Sequence, residues 1–242
     1  MKTDVSSELK TAGIIRAGIN LSNFLLVSGR NEDGKPFGVA PDMARAVAQG
    51  LDCDIELICF PGPGVLADAA SKAGWDIGLI AAEPARAELI SFSPAYVEIE
   101  ATYMVRDPLK AYSVDEIDKS GIRIGVAERS AYDLFLTRTL KSAELVRAKG
   151  LDASYELFVN EKLDALAGLR PKLMEENEKM AGSTILPGQF TAVQQSIGCG
   201  KNREEGLAFL VTFVEETKTS GFVADLIEKH GVVGRLSVAP PN

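Results

Sequence analysis

The residue most able to do chemistry in this 242-residue chain is an arginine in an unexpected place. The stretch WDIGLIAAEPARAELISFSPAY begins as an apolar, strand-like run through Ile77, Leu79 and Ile80. Six residues past Ile80, directly after Pro84 and Ala85, stands Arg86, a fixed positive charge at the mouth of that run. Glu83 and Glu88 lie close enough in sequence to offer it an ion pair. A second marked position is the helix start in GVAERSAYD, where Ser130 can cap and Asp133, three residues on, can reach back as a weaker form of the capping box. The single histidine, His230 in IEKHGV, reads as the last turn of a helix before Gly231, where a cation meets the negative end of the dipole. One histidine rules out a histidine-based triad or a multi-histidine metal site. Cys53 and Cys59 sit in one strand-like run, roughly 20 Å apart, too far for a disulfide within it. Cys199 is remote, no CxxC spacing suggests zinc, and all three read as buried, reduced thiols. No metal and no cofactor are expected.

These residues need a scaffold, and the pattern supplies one. Apolar strand-like runs recur at Ile14–Asn20, Ile55–Phe60, Ile77–Ala81, Thr102–Val105, Ile122–Val126, Tyr155–Phe158 and Val193–Ile197. Helical periodicity falls between them. PDMARAVAQGL places Met43, Ala46, Val47, Gly50 and Leu51 on one face, and SAYDLFLTRTL places Tyr132, Phe135, Leu136, Thr139 and Leu140 on another. Leu207, Leu210, Val211 and Val214 mark a helix that stops at Gly221, and a last short one runs through Val223, Leu226 and Ile227. Strands alternating with helices predict an α/β fold with mostly parallel sheet. Two unbroken strands, ATYMV and FTAVQQSIG, lie about ninety residues apart and suit a discontinuous first lobe with a second lobe inserted.

Composition narrows the partners. The net charge is −8 and the pI about 4.9, which argues against nucleic acid. Basic residues are dispersed, and no stretch approaches the ~20 apolar residues of a membrane span. The opening MKTDVSSELKTAG lacks the apolar centre of a secretory signal, so the expectation is a cytoplasmic chain or one whose export signal has been removed.

The order of LKTAGIIRAGIN, GKPFGVAPDMARAVAQGL, AGWDIGLIAAEPARAELISFSPAY, GIRIGVAERSAYDLFL, NEKLDALAG and EKHGV resembles the extracellular solute-binding proteins of the polar amino acid type, the capture proteins of ATP-driven importers. The resemblance runs from about Leu9 to Val232. It implies a two-lobed, type II periplasmic-binding-protein-like fold: lobe 1 at residues 1–105 and 193–242, lobe 2 at 106–192, joined by two crossing strands that hinge shut on a small ligand. It also implies a periplasmic location, a monomer and an ABC transporter permease as partner.

Pro84, Ala85, Arg86 and Ala87 match the family's P-x-R-A segment, whose arginine holds the ligand carboxylate. A guanidinium suits that task because its planar fork matches a carboxylate in bidentate fashion. Ser130 and Ala131 match positions whose backbone amides meet the same carboxylate, at a helix N-terminus that favours anions. Arg129 stands where the family has a small residue; it either adds positive charge or reaches solvent. Asn20, Asn23 and Phe24 would lie on the cleft rim, with turn chemistry and core packing as their alternative roles. Tyr132 either lines the pocket or fills the helix's core face, Gln194 sits on the returning strand, and Trp75 reads as core or lobe-edge packing.

Two departures bear on the ligand. The hydroxyl-bearing pair before the Pro-x-Arg segment is replaced by the shorter AAE, so that Glu83 either accepts a cation or pairs with Arg86. Five residues beyond Asp164, where the family commonly has an aspartate for the ligand's α-ammonium, stand Leu169 and then Arg170. A buried ammonium without a counter-charge is costly. The expected ligand is therefore a small anionic or zwitterionic metabolite, with a carboxylic acid, a dicarboxylate or an acidic amino-acid derivative competing with an ordinary amino acid. The alternative function is a cyclohexadienyl dehydratase on the same fold, with Glu83, Glu98 or Glu128 as general acid.

Overall fold

The computed structural model describes residues 8–107, 109 and 111–241; the polar start at residues 1–7 lies outside them. Along the chain, β1 (Ile14–Asn20), β2 (Gly29–Arg30) and β3 (Pro36–Phe37) precede α1 (Val39–Gly50), β4 (Asp54–Phe60), α2 (Pro63–Ala70), β5 (Ile77–Ala81) and the single-turn α3 (Pro84–Ala87). The long β6 (Ile90–Arg106) follows, then β7 (Arg123–Ala127), α4 (Ala131–Thr139), β8 (Glu144–Ala148), α5 (Leu151–Asn160) and β9 (Ala165–Leu169). The chain ends with α6 (Arg170–Asn177), β10 (Ser183–Ile185), β11 (Thr191–Gly200), α7 (Glu204–Thr219), α8 (Phe222–Lys229) and β12 (Ser237–Val238). This is an α/β fold, and the chain divides into two compact units: Met1–Glu98 with Gln194–Asn242, and Ile99–Val193. No described helix is long and apolar enough to cross a membrane.

In the first unit β4, β1 and β5 run parallel and β11 lies antiparallel on β5. Alternation along β1 buries Ile15, Ala17 and Ile19 completely, which puts Gly18 on the opposite face. A Cβ at Gly18 would stand 3.0 Å from the Trp75 ring and one at Gly78 3.1 Å from it, so the two glycines make room for the indole. Trp75 is buried with Leu66, Ile80 and Ile90, and its Nε1 donates to the Leu66 carbonyl at 2.9 Å. α1 turns Met43, Ala44, Val47 and Ala48 inward; Ala46 and Gly50, expected on that face, stay at least partly exposed. His230 is the C-cap of α8, as its sequence position suggests, and its Nε2 lies 2.9 Å from Asp42 in the first turn of α1.

In the second unit β8, β7 and β9 are parallel, and the later part of β6 pairs antiparallel with both β9 and β10. Met104, Phe158, Leu163, Leu166 and Leu173 form its core. The strand expected at Tyr155–Phe158 is instead the middle of α5. Ser154 and Phe158, four residues apart, are the buried positions, so a helical stripe there mimics a short apolar run. Cys53 and Cys59 are half-buried and Cys199 is buried; none of the three is in a disulfide, and burial pushes the Cys199 thiol up to about 11.

Candidate functional site

The arginine turn is built from the end of β5. All five strand residues are buried, and Ala82 continues by donating its N–H to the Gln194 carbonyl at 2.9 Å. Glu83 is the N-cap of α3, Pro84 occupies the first helical position, where its missing N–H costs nothing, and the Glu83 carbonyl accepts from the amides of Arg86 and Ala87, both at 2.9 Å. This tight turn folds Arg86 back: its Nη1 donates to the Ala81 carbonyl at 2.8 Å, and the residue is only 5% exposed. Glu83 is 7% exposed, whereas Glu88 is exposed, so Arg86 does not belong to a surface ion pair with Glu88. Neither Glu83 nor Arg86 is without further partners in the protein. A guanidinium so far from solvent requires acceptors on most of its donors, which is the state in which it is fixed and pre-oriented.

The helix start lies in the second unit. Ser130 caps α4, its Oγ accepting from Asp133 N at 3.0 Å, while Asp133 Oδ2 accepts from Arg129 N at 2.7 Å. The first is the capping bond proper; the second reaches one residue farther back than a capping box does, to the amide before the cap. Asp133 is held in turn by Arg147 Nε at 2.9 Å. Ser130 N bonds the Ala127 carbonyl, which leaves the amides of Ala131 and Tyr132 without a partner among the described residues. Arg129 has φ +60°, the left-handed region in which a non-glycine residue is strained. Its side chain is exposed, and the residue has a further partner in the protein. Tyr132 is buried, and burial pushes its phenol up.

The remaining expected residues divide by what already engages them. Asn20 Oδ1 accepts from Ser22 N and Oγ, and Asn23 Oδ1 accepts from Leu25 N; both do the turn chemistry that was their alternative role. Phe24 carries the Arg235 guanidinium 5.2 Å from its ring centroid. Gln194 donates from Nε2 to Glu98 Oε1 at 2.6 Å. Asp164 accepts from Arg123 N at 2.8 Å, and Leu169, 7% exposed, ends β9. Arg170 bonds Glu100 and the carbonyls of Leu186 and Gly188, so its charge is neutralised inside its own unit. No signal in the chain marks Glu100 as its partner. Of the three acids considered for catalysis, Glu83 is buried, Glu98 is bonded to Gln194, and Glu128 is exposed. Among the described residues no group of three or more His, Cys, Asp or Glu side chains is placed to hold a metal ion.

Solved structures share this architecture at low identity, which speaks to fold. An amino acid ABC transporter substrate-binding protein from Streptococcus pneumoniae bound to L-arginine aligns with a TM-score of 0.73 and 19% identity, covering 93% of this chain and 97% of that one. An ancestral arginine-binding protein bound to arginine gives 0.72 and 19%, covering 91% and 99%. An ancestral amino acid-binding protein described as a precursor of cyclohexadienyl dehydratase gives 0.71 and 18%, covering 90% and 94%. Among curated proteins none matches in sequence. Residues 16–233, nearly the whole chain, match the profile of one family, and the chain therefore belongs to the bacterial extracellular solute-binding proteins, family 3.

Proposed function

We propose that the solute is an amino acid or a close carboxylate-bearing relative, that Arg86 receives its carboxylate, and that an ABC importer is the partner to which a monomer delivers it after export. The observation that carries this reading is the Arg86 turn: a guanidinium held at the end of a buried strand, fixed by the Ala81 carbonyl rather than free in solvent. Each charge-assisted hydrogen bond contributes about 1.5–3 kcal/mol net. A bidentate pair therefore supplies a large share of the roughly 8 kcal/mol of micromolar binding. The amino acids bound by structurally similar proteins support the ligand class.

A family of solute binders favours reversible binding over dehydration. A thermal-shift screen of amino acids and carboxylates tests the reading. A ligand at 100 times its dissociation constant adds about 2.7 kcal/mol of stability. Arg86→Ala is expected to abolish that shift; a shift that survives the substitution would remove Arg86 from the site.

A further inference from the structure

The place where the family carries an acid for the α-ammonium holds Leu169, a buried aliphatic side chain that cannot accept a hydrogen bond. An amino acid ligand needs that acceptor from somewhere else in the chain. Glu83 is buried and already engaged within the protein. Glu98 is different. It is half-buried, its Oε1 accepts from Gln194 Nε2 at 2.6 Å, and its Oε2 has no partner among the described residues. One oxygen is thus pinned and the other presented, which is how a carboxylate is oriented to receive a cation.

The position of Glu98 follows from the strand register. Gln195 pairs with Ala81, so Gln194 is level with Ala82, at the carboxyl end of β5 where the arginine turn begins. The Gln194 carbonyl accepts from Ala82 N, and Arg86 Nη1 donates to the adjoining Ala81 carbonyl. A continuous run of hydrogen bonds and one peptide unit therefore leads from the Arg86 guanidinium through Gln194 to the Glu98 carboxylate, all within the first unit. We propose that Glu98 is the residue that selects for an ammonium group on the solute, and that Gln194 is its positioning residue. This rests on the reading of Arg86 as the carboxylate anchor, and it adds that the preferred solute is a zwitterion rather than a dicarboxylate.

The test is isothermal titration of the twenty L-amino acids, acetate, butyrate, succinate and glutarate into the wild type, Glu98→Gln, Gln194→Met and Arg86→Ala, with melting of each unliganded variant as the control for folding. Glu98→Gln keeps the size and an acceptor for Gln194 while removing the charge. The expected result is that the wild type binds an amino acid best. Glu98→Gln then weakens that amino acid at least tenfold while changing affinity for the ammonium-free carboxylates by less than threefold. Gln194→Met shows the same selectivity change at smaller size. Equal affinity of Glu98→Gln and wild type for the amino acid overturns the inference; so does a wild type that prefers a carboxylate without an ammonium. If Arg86→Ala abolishes binding while Glu98→Gln does not alter it, the anchor stands and only the role of Glu98 falls. If no compound in the panel binds, both fall.

Discussion

Two arginines, one in each unit, sit in turns that follow a buried strand, and they are used in opposite ways. After β5, the Arg86 backbone closes a single helical turn and its side chain is buried, and in the proposed function its positive charge is the working part. After β7, the Arg129 side chain is exposed while its backbone takes the left-handed conformation and its amide bonds Asp133. The same residue type in a similar place thus has a buried side chain in one unit and an exposed side chain on a left-handed backbone in the other. Burial, rather than identity, separates the two.

Substitution at each position sharpens this contrast. The largest expected effect is in binding: Arg86→Ala removes two charge-assisted hydrogen bonds, about 3–6 kcal/mol together, or at least a hundredfold in solute affinity by calorimetry. Arg129→Ala should change affinity by no more than about threefold, and a loss comparable to that of Arg86→Ala would erase the distinction. Next in size is the capping pair. Asp133→Ala removes the bond to the Arg129 amide and the partner of Arg147, and should cost about 2 kcal/mol of stability in urea unfolding. The smallest effect is a gain: Arg129→Gly relieves the left-handed strain and should stabilise by about 1 kcal/mol without altering affinity.

Acid unfolding compares the units as wholes. Burial pushes the Asp76 pKa up in the first unit, but bonds from Arg16 and Thr11 outweigh it and leave Asp76 below the ordinary carboxylate range. In the second unit burial likewise opposes, and the bonds from Lys172 and Lys179 outweigh it, lowering Glu176. Both groups bind their proton less readily folded than unfolded. Their contribution is therefore complete above the unfolded values, about 4, and is lost as pH falls through the folded ones. Asp76→Asn and Glu176→Gln should each flatten the fall in melting temperature below about pH 4. An unchanged slope in either variant would show that its unit owes its acid sensitivity to other carboxylates.

Much of this was legible in the chain because the signals were local. The Ser130 cap needs only a serine three residues before the amide it accepts from, and the β5 run with Pro84 behind it announces a strand and a turn. What escaped was set by distant partners. The partner of Arg170 is Glu100, seventy positions away. Tyr155–Phe158 looked like a strand because a four-residue run with three apolar side chains is too short to show a period of its own. Ala165–Leu169, all buried, was passed over among the strands because two alanines and a glycine carry little β-signal. The link between Gln194 and Glu98 joins residues 96 positions apart, beyond the reach of any spacing rule.

The most direct test of the account is a crystal structure with the tightest-binding solute from the screen. The prediction is a carboxylate whose two oxygens lie about 2.7–2.9 Å from the Arg86 guanidinium nitrogens. A solute seated with its carboxylate elsewhere, and Arg86 still engaged only by protein acceptors, would contradict it.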